Sequence, residues 1–210
     1  MAIALLLLLI AYLLGSISGS LLLGKLRGVD IRTVGSGNAG GTNALRTQGL
    51  KFALGTVLID VGKGALACWL ALRLLPSAAN PAWPYACALA VAAGHVWPVF
   101  HGFRGGKGAA TVVGGLAVLW PQGLLPLFGI WFLSMMWGGY VGLSTVLAGV
   151  SLLLFALVAG ADGARTGFAA AVALFLVYTH RGNLARLRAG TEPRSERMRI
   201  LGRLFSRKGT

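Results

Sequence analysis

Residues 109–138 read AATVVGGLAVLWPQGLLPLFGIWFLSMMWG, and this stretch decides how many times the chain crosses a membrane. It is apolar almost throughout but is interrupted by Pro121 and Pro126. Proline removes a backbone hydrogen bond and kinks or ends a helix. The stretch is therefore either one kinked helix or a hairpin of two short helices. The charges on either side of it decide between these two possibilities.

The composition is that of a polytopic membrane protein. The chain has 210 residues, of which 56% are hydrophobic and only 11% are charged. A soluble domain usually carries about 25% charged residues. The 32 glycines fit membrane helices, in which small residues let backbones pack closely. The predicted spans are 2–23, 50–75, 82–100, 109–120, 122–138, 141–160 and 164–179.

The distribution of basic residues predicts the topology, because arginine and lysine collect on the cytoplasmic side of membrane proteins. No Lys or Arg precedes the first span, several follow it, and the connection at 76–81 has none. The N-terminus is therefore expected outside. One span over 109–138 would put the basic tail 181–210 outside as well, whereas two spans put it in the cytoplasm. The sequence thus predicts an all-α integral membrane protein with seven transmembrane helices in a single domain, 1–210, and a cytoplasmic C-terminus.

Three glycine-rich polar stretches lie at the ends of spans, all on the predicted cytoplasmic face. They are residues 35–43 (GSGNAGGTN), 105–108 (GGKG) and 180–183 (HRGN). Glycine lets backbone N–H groups crowd around an anion, and Ser, Thr, Asn, Lys, Arg and His side chains add donors. The pattern favours phosphate chemistry at a bilayer surface. For each stretch taken alone, an ordinary interfacial loop is the alternative.

The first two stretches precede predicted helices. Thr42 and Asn43 are expected to cap a helix that runs through Arg46 into the second span. Lys107 stands among glycines just before the fourth span, which is a suitable phosphate cradle, although the glycine spacing is not that of a Walker loop. His95, at the end of the third span, either contributes to this site or bonds a backbone carbonyl.

Two charged residues, Asp60 and Lys63, lie one turn apart inside the second span. A charge in the middle of a membrane helix costs about 2.5–3.5 kcal/mol on insertion scales, so it is expected to have a partner. A mutual ion pair that stabilises the helix bundle is the favoured interpretation. A role in steering the phosphate site is the alternative.

Small residues and the basic tail give three further expectations. Gly15 and Gly19, four residues apart, predict a close helix contact. Cys68 and Cys87 lie in apolar spans without metal-binding spacing and are expected to be small buried hydrophobes. The segment after Arg197 alternates basic and apolar residues up to Arg207 and is expected to lie on the inner leaflet.

Together these residues resemble the PlsY family, the bacterial acyl-phosphate:glycerol-3-phosphate acyltransferases. The family's first motif, GSGNxGxTN followed by Arg, matches residues 35–43 with Arg46 in place. The second, GHxxPVFxxFxGGKGxAT, runs unbroken over 94–111. The third, HxxNxxRLxxGxE, runs over 180–192. The resemblance covers most of the chain in order and spacing.

This chain departs from the family pattern at two places. Ala39 and Gly41 replace the usual Pro and Ala in the first motif. Residues 139–142 read GYVG, where relatives often have Arg-Tyr-Val-Ser. If that serine holds a phosphate in relatives, Ser144 or Thr145 would have to take its place here.

The resemblance implies an enzyme that transfers a fatty acyl group from acyl phosphate to the sn-1 hydroxyl of glycerol 3-phosphate. The products are lysophosphatidic acid and phosphate, in the first step of phospholipid synthesis. The enzyme would lie in the bacterial inner membrane, with its active site facing the cytoplasm. Its implied partners are acyl phosphate, glycerol 3-phosphate, membrane lipids and the enzyme that supplies acyl phosphate. No cofactor, metal site or nucleic-acid partner is expected.

The expected site residues come from all three motifs. Arg46 and Lys107 are expected to neutralise phosphate, with Ser36 as a donor. The expected catalytic residues are Ser36, Arg46, Lys107, His180 and Asn183. The expected substrate- and phosphate-binding residues are Gly37, Asn38, Gly40, Thr42, Asn43, His95, Gly105, Gly106, Gly108, Thr111 and Glu192.

The expected mechanism is direct attack by the glycerol hydroxyl, because acyl phosphate is already activated and no cysteine lies in the polar stretches. The general base stays open, since histidine titrates near pH 6.5 and a phosphate monoester near 6. A transporter of a phosphorylated metabolite is the alternative function. Transporters usually bind substrate near the bilayer midplane between internal repeats, and no half-to-half repeat is found here. A non-catalytic scaffold would have no use for three donor clusters.

Overall fold

A computed structural model describes residues 1–76 and 79–206, and helix is the only regular secondary structure in that part of the chain. The chain divides into two compact units, Met1–Pro121 and Gln122–Thr210. The first unit contains α1 (Ala2–Gly15), α2 (Gly19–Leu26), α3 (Gly41–Gln48), α4 (Leu50–Leu74), α5 (Ala82–Val96) and α6 (Ala109–Leu119). The second contains α7 (Leu124–Gly138), α8 (Val141–Val158), α9 (Gly163–Thr179), α10 (Arg181–Arg188) and α11 (Ile200–Ser206).

Every predicted span contains a helix, but the first one is not continuous. The apolar run 2–23 divides into α1 and α2, bent by 44° at the break after Gly15. The prediction of a single first helix is therefore wrong. The stretch 109–138 forms two helices, α6 and α7, with a short 3-10 turn over Pro121–Gly123 between them. This matches the two helices that the charge distribution predicts.

The lengths of the helices do not by themselves establish seven crossings. Among the described helices only α8, with 18 residues and a mean hydropathy of 2.4, is both long and apolar enough to span a bilayer alone. The pair α1 and α2 meets that standard when taken together. The helices α5, α6, α7 and α9 have 15, 11, 15 and 17 residues, against about 20 for a full crossing. Seven spans and the orientation of the termini stay predictions.

The outward faces of the helices carry large apolar side chains. Leu58 is 74% exposed, Leu157 60% and Leu174 72%. Exposed apolar side chains on helices of both units are expected of surfaces that face lipid. Cys68 and Cys87 are both buried and free, which confirms their interpretation as small core residues.

In the first unit, α1 and α5 lie side by side and run in the same direction. Leu7 and Ala11 of α1 pack with Ala67 of α4 and Val91 of α5 in one apolar cluster. The Tyr12 hydroxyl donates to the Trp97 carbonyl at 2.8 Å, which places the C-terminal ends of α1 and α5 side by side. The connections that follow α2 and α5 therefore lie at the same end of this unit. These connections contain the first two polar stretches.

Glycines allow the close contacts between these helices. Gly15 lies against α5, where a methyl group would collide with the Val91 carbonyl. Gly19 lies against α4, where a methyl group would come within 2.6 Å of the Thr56 carbonyl. The predicted close contact is confirmed at both positions. The two glycines, however, serve different neighbours, because the helix breaks between them.

The second unit is built around α8, which packs against both α7 and α9. The Ser151 hydroxyl of α8 donates to the Pro126 carbonyl of α7 at 3.1 Å. Gly149 of α8 lies against Leu176 of α9. The segment α11 lies against α7, where Gly202 contacts the carbonyl of Trp137. The basic end of the tail, Arg207 and Lys208, lies outside the described residues.

We expect the α4–α6 crossing to be sensitive to one added methyl group on α4. A Cβ at Gly64 would collide with the Thr111 carbonyl of α6, whereas a Cβ at Gly62 meets no atom within 4 Å. Overpacking of this kind costs about 1–3 kcal/mol. Gly64→Ala should therefore lower the unfolding temperature in detergent, as followed by circular dichroism.

Gly62→Ala is the matched control, because alanine favours a helix over glycine by about 1 kcal/mol. It should leave the unfolding temperature unchanged or raise it slightly. Equal unfolding temperatures for the two variants would contradict the close crossing.

Candidate active site

The first polar stretch is a loop held together by one buried side chain, that of Asn43. Its Oδ1 accepts from the Ser36 amide at 2.9 Å, and its Nδ2 donates to the carbonyls of Ile31 at 3.1 Å and Val34 at 3.0 Å. Asn43 is 1% exposed. Both amide hydrogens are engaged within the loop, so Asn43, expected to bind substrate, shapes the loop from inside. Among the other expected residues here, Ser36, Gly37, Thr42 and Arg46 are exposed, and Asn38 and Gly40 are partly buried.

The helix after this loop differs from the prediction at both ends. The expected cap at Thr42 and Asn43 is wrong, because Gly40 is the N-cap and α3 begins at Gly41. Asn43 cannot cap, since its side chain bonds back into the loop. The expected continuation into the second span is also wrong. Gly49 adopts a φ of +83° and separates α3 from α4, so that Arg46 lies on a short helix of its own.

The second polar stretch folds back on the end of α5. The Gly105 amide donates to the Val96 carbonyl and the Gly106 amide to the His95 carbonyl, both at 3.1 Å. A Cβ at Gly105 would collide with the His95 carbonyl, and one at Gly106 would collide with the His95 ring. Glycine is therefore required at both positions for the loop to lie this close to α5.

Lys107 follows directly and precedes α6, as the sequence predicts. It is half-buried between Gly106 and Gly108, which are both buried. Gly108 adopts a φ of +84°, in the left-handed region that favours glycine, and is the N-cap of α6. A lysine just before the start of a helix suits an anion, because the first N–H groups of a helix have no partner within the helix. Thr111, in the first turn of α6, is fully buried, and its hydroxyl has no hydrogen-bond partner among the described residues.

Arg32, one of the basic residues that follow the first span, joins the segments that lead into the first two polar stretches. Its Nη1 donates to the carbonyls of His101 at 2.9 Å and Arg104 at 3.3 Å. Its Nε and Nη2 bind the Asp30 carboxylate at 3.0 and 2.8 Å. A second contact joins the same loops, because Gly106 lies against the carbonyl of Ala39. The one available signal in the sequence was a basic residue just before the first polar stretch.

The Asp30–Arg32 pair stays ionised through the neutral range. The hydrogen bond from the Arg32 side chain lowers the pKa of Asp30 to about 2. Because this pKa lies below the ordinary value of about 3.9, the pair is fully formed above pH 4 and is lost only as the pH falls toward 2. The connection between the two loops is therefore insensitive to pH near neutrality.

The third stretch forms a separate cluster in the second unit. His180 ends α9, is 5% exposed, and has its Nδ1 2.9 Å from the Leu176 carbonyl. A carbonyl only accepts, so this geometry assigns the proton of the neutral ring to Nδ1 and leaves Nε2 as an acceptor. Asn183 Nδ2 donates to Glu192 Oε1 at 2.5 Å, and Arg186 Nε donates to Glu192 Oε2 at 2.8 Å. Glu192 thereby fixes both neighbours.

Gly142 allows Asn183 to take this position. A Cβ at residue 142 would lie 2.6 Å from Cβ of Asn183 and 2.9 Å from its Nδ2. Thr145 is engaged elsewhere, since its hydroxyl donates to the Val141 carbonyl at 2.9 Å and accepts from Trp131 at 3.3 Å. Ser144 is buried, and its hydroxyl has no hydrogen-bond partner in the described part of the chain. The space that a serine at 142 would need is occupied by Asn183.

The ring of His95 was alternatively expected to bond a backbone carbonyl, but it makes no such bond among the described residues. Its Nδ1 lies 2.8 Å from Lys63 Nζ and 3.3 Å from Asp60 Oδ1, and all three residues are buried. We call Asp60, Lys63 and His95 the buried charge cluster. The predicted ion pair between Asp60 and Lys63 is confirmed at 2.9 Å, but it has a third member.

Known proteins share both this sequence and this fold. Residues 5–190 match the family model described as Glycerol-3-phosphate acyltransferase. The glycerol-3-phosphate acyltransferase of Synechococcus sp. (strain CC9902) is 43% identical over 193 residues, 91% of this chain and 94% of the relative. That of Aquifex aeolicus (strain VF5) is 38% identical over 192 residues, 91% and 98% of the two chains. The chain belongs to the glycerol-3-phosphate acyltransferase family.

Two crystal structures of one member of this family, PlsY (YgiH), are similar to this fold. PlsY is described as an integral membrane glycerol 3-phosphate acyltransferase. Its glycerol 3-phosphate form is 37% identical, with a TM-score of 0.85 over 94% of this chain and 98% of PlsY. Its lysophosphatidic acid form is 36% identical, with a TM-score of 0.84 over 96% and 98%. The resemblance to the PlsY family is confirmed.

Arg32→Ala should impair the acyltransferase by releasing the two loops from each other. The variant loses the hydrogen bonds to His101 and Arg104, each of the charged kind that contributes about 1.5–3 kcal/mol. We expect kcat/KM for glycerol 3-phosphate to fall at least about tenfold, measured by phosphate release.

Arg27→Ala is the matched control, because Arg27 lies on the same connection but stacks over Phe52. It should keep kcat/KM within about twofold of the wild type. Equal losses in the two variants would show that general positive charge matters, and not the connection between the loops.

Proposed function

We propose that this chain transfers a fatty acyl group from acyl phosphate to the sn-1 hydroxyl of glycerol 3-phosphate, giving lysophosphatidic acid and inorganic phosphate. This is the first step of phospholipid synthesis. The acyl donor is a mixed anhydride and must be supplied by a separate enzyme that makes it. Both substrates carry phosphate, one is soluble and the other lies in the lipid.

One observation carries this proposal. The solved relative PlsY is described in a glycerol 3-phosphate form and a lysophosphatidic acid form, which are the acceptor and the product of this reaction. Both forms match this chain over more than nine-tenths of its length. Relatives of this coverage are named acyltransferases, so the alternative of a transporter has no support from them.

The chemistry needs no covalent intermediate. The glycerol hydroxyl oxygen forms a bond to the acyl carbonyl carbon, and the bond from that carbon to the phosphate oxygen breaks. Phosphate leaves with the electron pair of the broken bond, and the hydroxyl proton passes to a phosphate oxygen or to a histidine side chain. Charge develops on the departing phosphate, so fixed cations and donors stabilise the transition state.

In the first unit, Lys107, Arg46 and Ser36 supply the cation and donor groups. Lys107 is half-buried between two buried glycines, so its ammonium acts in a less polar setting than a surface lysine. The backbone of Gly105 and Gly106 is fixed against α5, which orients the loop before substrate arrives. In the second unit, Glu192 fixes Asn183, and the carbonyl of Leu176 fixes the tautomer of His180. Both residues are required for turnover in this proposal.

Palmitoyl phosphate and glycerol 3-phosphate are the substrates that test the activity, with phosphate release as the readout. Wild-type protein should release phosphate only when both are present, and should not transfer the acyl group from palmitoyl-CoA. Lys107→Ala should lower kcat/KM by about 10- to 100-fold, because a charged hydrogen bond contributes about 1.5–3 kcal/mol.

Lys51→Ala is the matched control, because Lys51 is an exposed lysine at the start of α4. It should keep near-normal turnover. Wild-type protein that takes up labelled glycerol 3-phosphate into sealed vesicles without acylating it would overturn the proposed function. Equal activity of the two lysine variants would overturn the role of Lys107.

The proposed topology is seven crossings of the bacterial inner membrane, with the N-terminus outside, the C-terminus in the cytoplasm and the active site facing the cytoplasm. The basic residues 181–203 and the basic connections after α2 and α5 support it through the positive-inside rule. The connection between α8 and α9 is then external.

Single cysteines at exposed positions test this topology with a membrane-impermeant maleimide. Thr33→Cys and Arg188→Cys should react only in inverted vesicles, and Ala159→Cys only in intact cells. Cys68 and Cys87 are buried and stay silent as internal controls. Reaction of residues 33 and 188 from opposite sides of the membrane would end the seven-span proposal.

A further inference from the structure

The buried charge cluster is the unusual feature of the first unit that the proposed chemistry leaves unused. Asp60, Lys63 and His95 are 1%, 6% and 3% exposed. Asp60 and Lys63 lie inside α4, among the apolar helices α1, α5 and α6. Ionisable groups in the interior of a membrane protein are costly and are retained for a function. A pair that merely neutralised itself would need no third residue.

Lys63 binds the carbonyls that the helix break leaves free. Its Nζ donates to the Gly15 carbonyl at 2.9 Å and to the Ile17 carbonyl at 2.7 Å, at the end of α1. Asp60 Oδ1 accepts from the Gly19 amide at 3.1 Å, at the start of α2. The lysine thus satisfies the carbonyl end of the break and the aspartate satisfies its amide end. The two residues could not exchange places and make the same bonds.

The geometry at Lys63 also fixes the histidine ring. The ammonium has three hydrogens and faces four acceptors within 2.9 Å: the two carbonyls, Asp60 Oδ1 and His95 Nδ1. Nδ1 lies 2.8 Å from the ammonium and 3.3 Å from Asp60 Oδ1, so this edge of the ring faces both charged groups of α4. The ring is therefore held in one orientation by charges on α4.

The other edge of the same ring lies against the second polar stretch. A Cβ at Gly106 would collide with Nε2 of His95, and it would lie 2.7 Å from the carbonyl of Ala39 in the first stretch. The Gly106 amide also donates to the His95 carbonyl at 3.1 Å. The ring of His95 therefore lies between the buried pair and the point where the two polar loops meet in this unit. Lys107 is the next residue along the chain.

We infer that Asp60 and Lys63 are positioning residues for acyl transfer, which act through the ring of His95 to hold Gly106, and with it Lys107, in place against the first loop. The inference rests on the proposed function. Asp60 and Lys63 touch no substrate themselves. Their charges set the orientation of the ring, the ring sets the position of the loop, and the loop places the ammonium of Lys107.

The test is a double-mutant cycle between Lys63→Met and His95→Asn, with purified protein, palmitoyl phosphate and glycerol 3-phosphate. Methionine keeps the length of the lysine but cannot bind the ring. Asparagine keeps an acceptor near the position of Nδ1 for Lys63 but removes the edge that contacts Gly106. Each single variant should lower kcat/KM at least tenfold. The double variant should lose no more than about threefold beyond the worse single variant, because both changes break one chain of contacts.

Thr56→Val is the matched control. Thr56 is also buried on α4, but among the described residues its hydroxyl bonds only to the Phe52 carbonyl of the same helix. It should keep kcat/KM within about twofold of the wild type. Unfolding temperatures are measured on all variants. If Lys63→Met does not fold, Lys63→Arg replaces it in the cycle. A planar guanidinium keeps the charge but cannot bind the same four acceptors as the ammonium.

Three results would overturn the inference while the proposed function stands. In the first, Lys63→Met or His95→Asn is as active as Thr56→Val. In the second, the losses of kcat/KM in the two single variants multiply in the double variant. In the third, the loss of kcat/KM in each variant simply follows the fall in its unfolding temperature. An inactive wild-type protein would instead remove the proposed function itself. The two failures are therefore distinguishable.

Discussion

A buried ammonium group must find acceptors, and in this protein that requirement shapes the first unit. Lys63 takes its acceptors from the broken end of α1, from Asp60 and from His95. The carbonyls at the end of α1 would in turn be unsatisfied in an apolar surrounding without the ammonium. The helix break and the buried lysine therefore depend on each other. A monovalent cation bound at a broken membrane helix would use similar carbonyl and carboxylate oxygens. Here the ammonium group of Lys63 takes the place of such a cation.

Close approach of backbones is the second constraint. Glycine at 105 and 106 lets the second polar stretch contact α5 directly, and glycine at 64 lets α4 cross α6. Polar groups that such close contacts bury are costly unless they are hydrogen-bonded. Asn43 does this for the first loop, because one buried amide group makes three hydrogen bonds across it. Rigid loops of this kind present Lys107 and its neighbours without further ordering when an anion binds.

The sequence predicted the helical segments well, because runs of apolar residues between basic connections leave few other arrangements in a bilayer. It predicted two helices in residues 109–138 and the burial of both cysteines. It was wrong on the single first helix, because an apolar run does not show that Gly15 and Gly19 face different neighbours. It was wrong on the start of α3, because the Asn43 side chain had a competing use in the loop. Arg32 was missed as a connection between loops, since a basic residue near a span also serves as a topology signal.

The sequence by itself determined the helical class, the three polar stretches and, through their motifs, the membership of the acyltransferase family. These follow from composition and local residue order, which do not depend on which segments meet. Only the tertiary structure decided that His95 contacts Asp60 and Lys63, that Arg32 joins two loops and that Asn183 fills the space beside Gly142. Each of these depends on contacts between residues that are distant in the chain. Such contacts are set by how helices pack, and hydropathy and spacing carry no information about them.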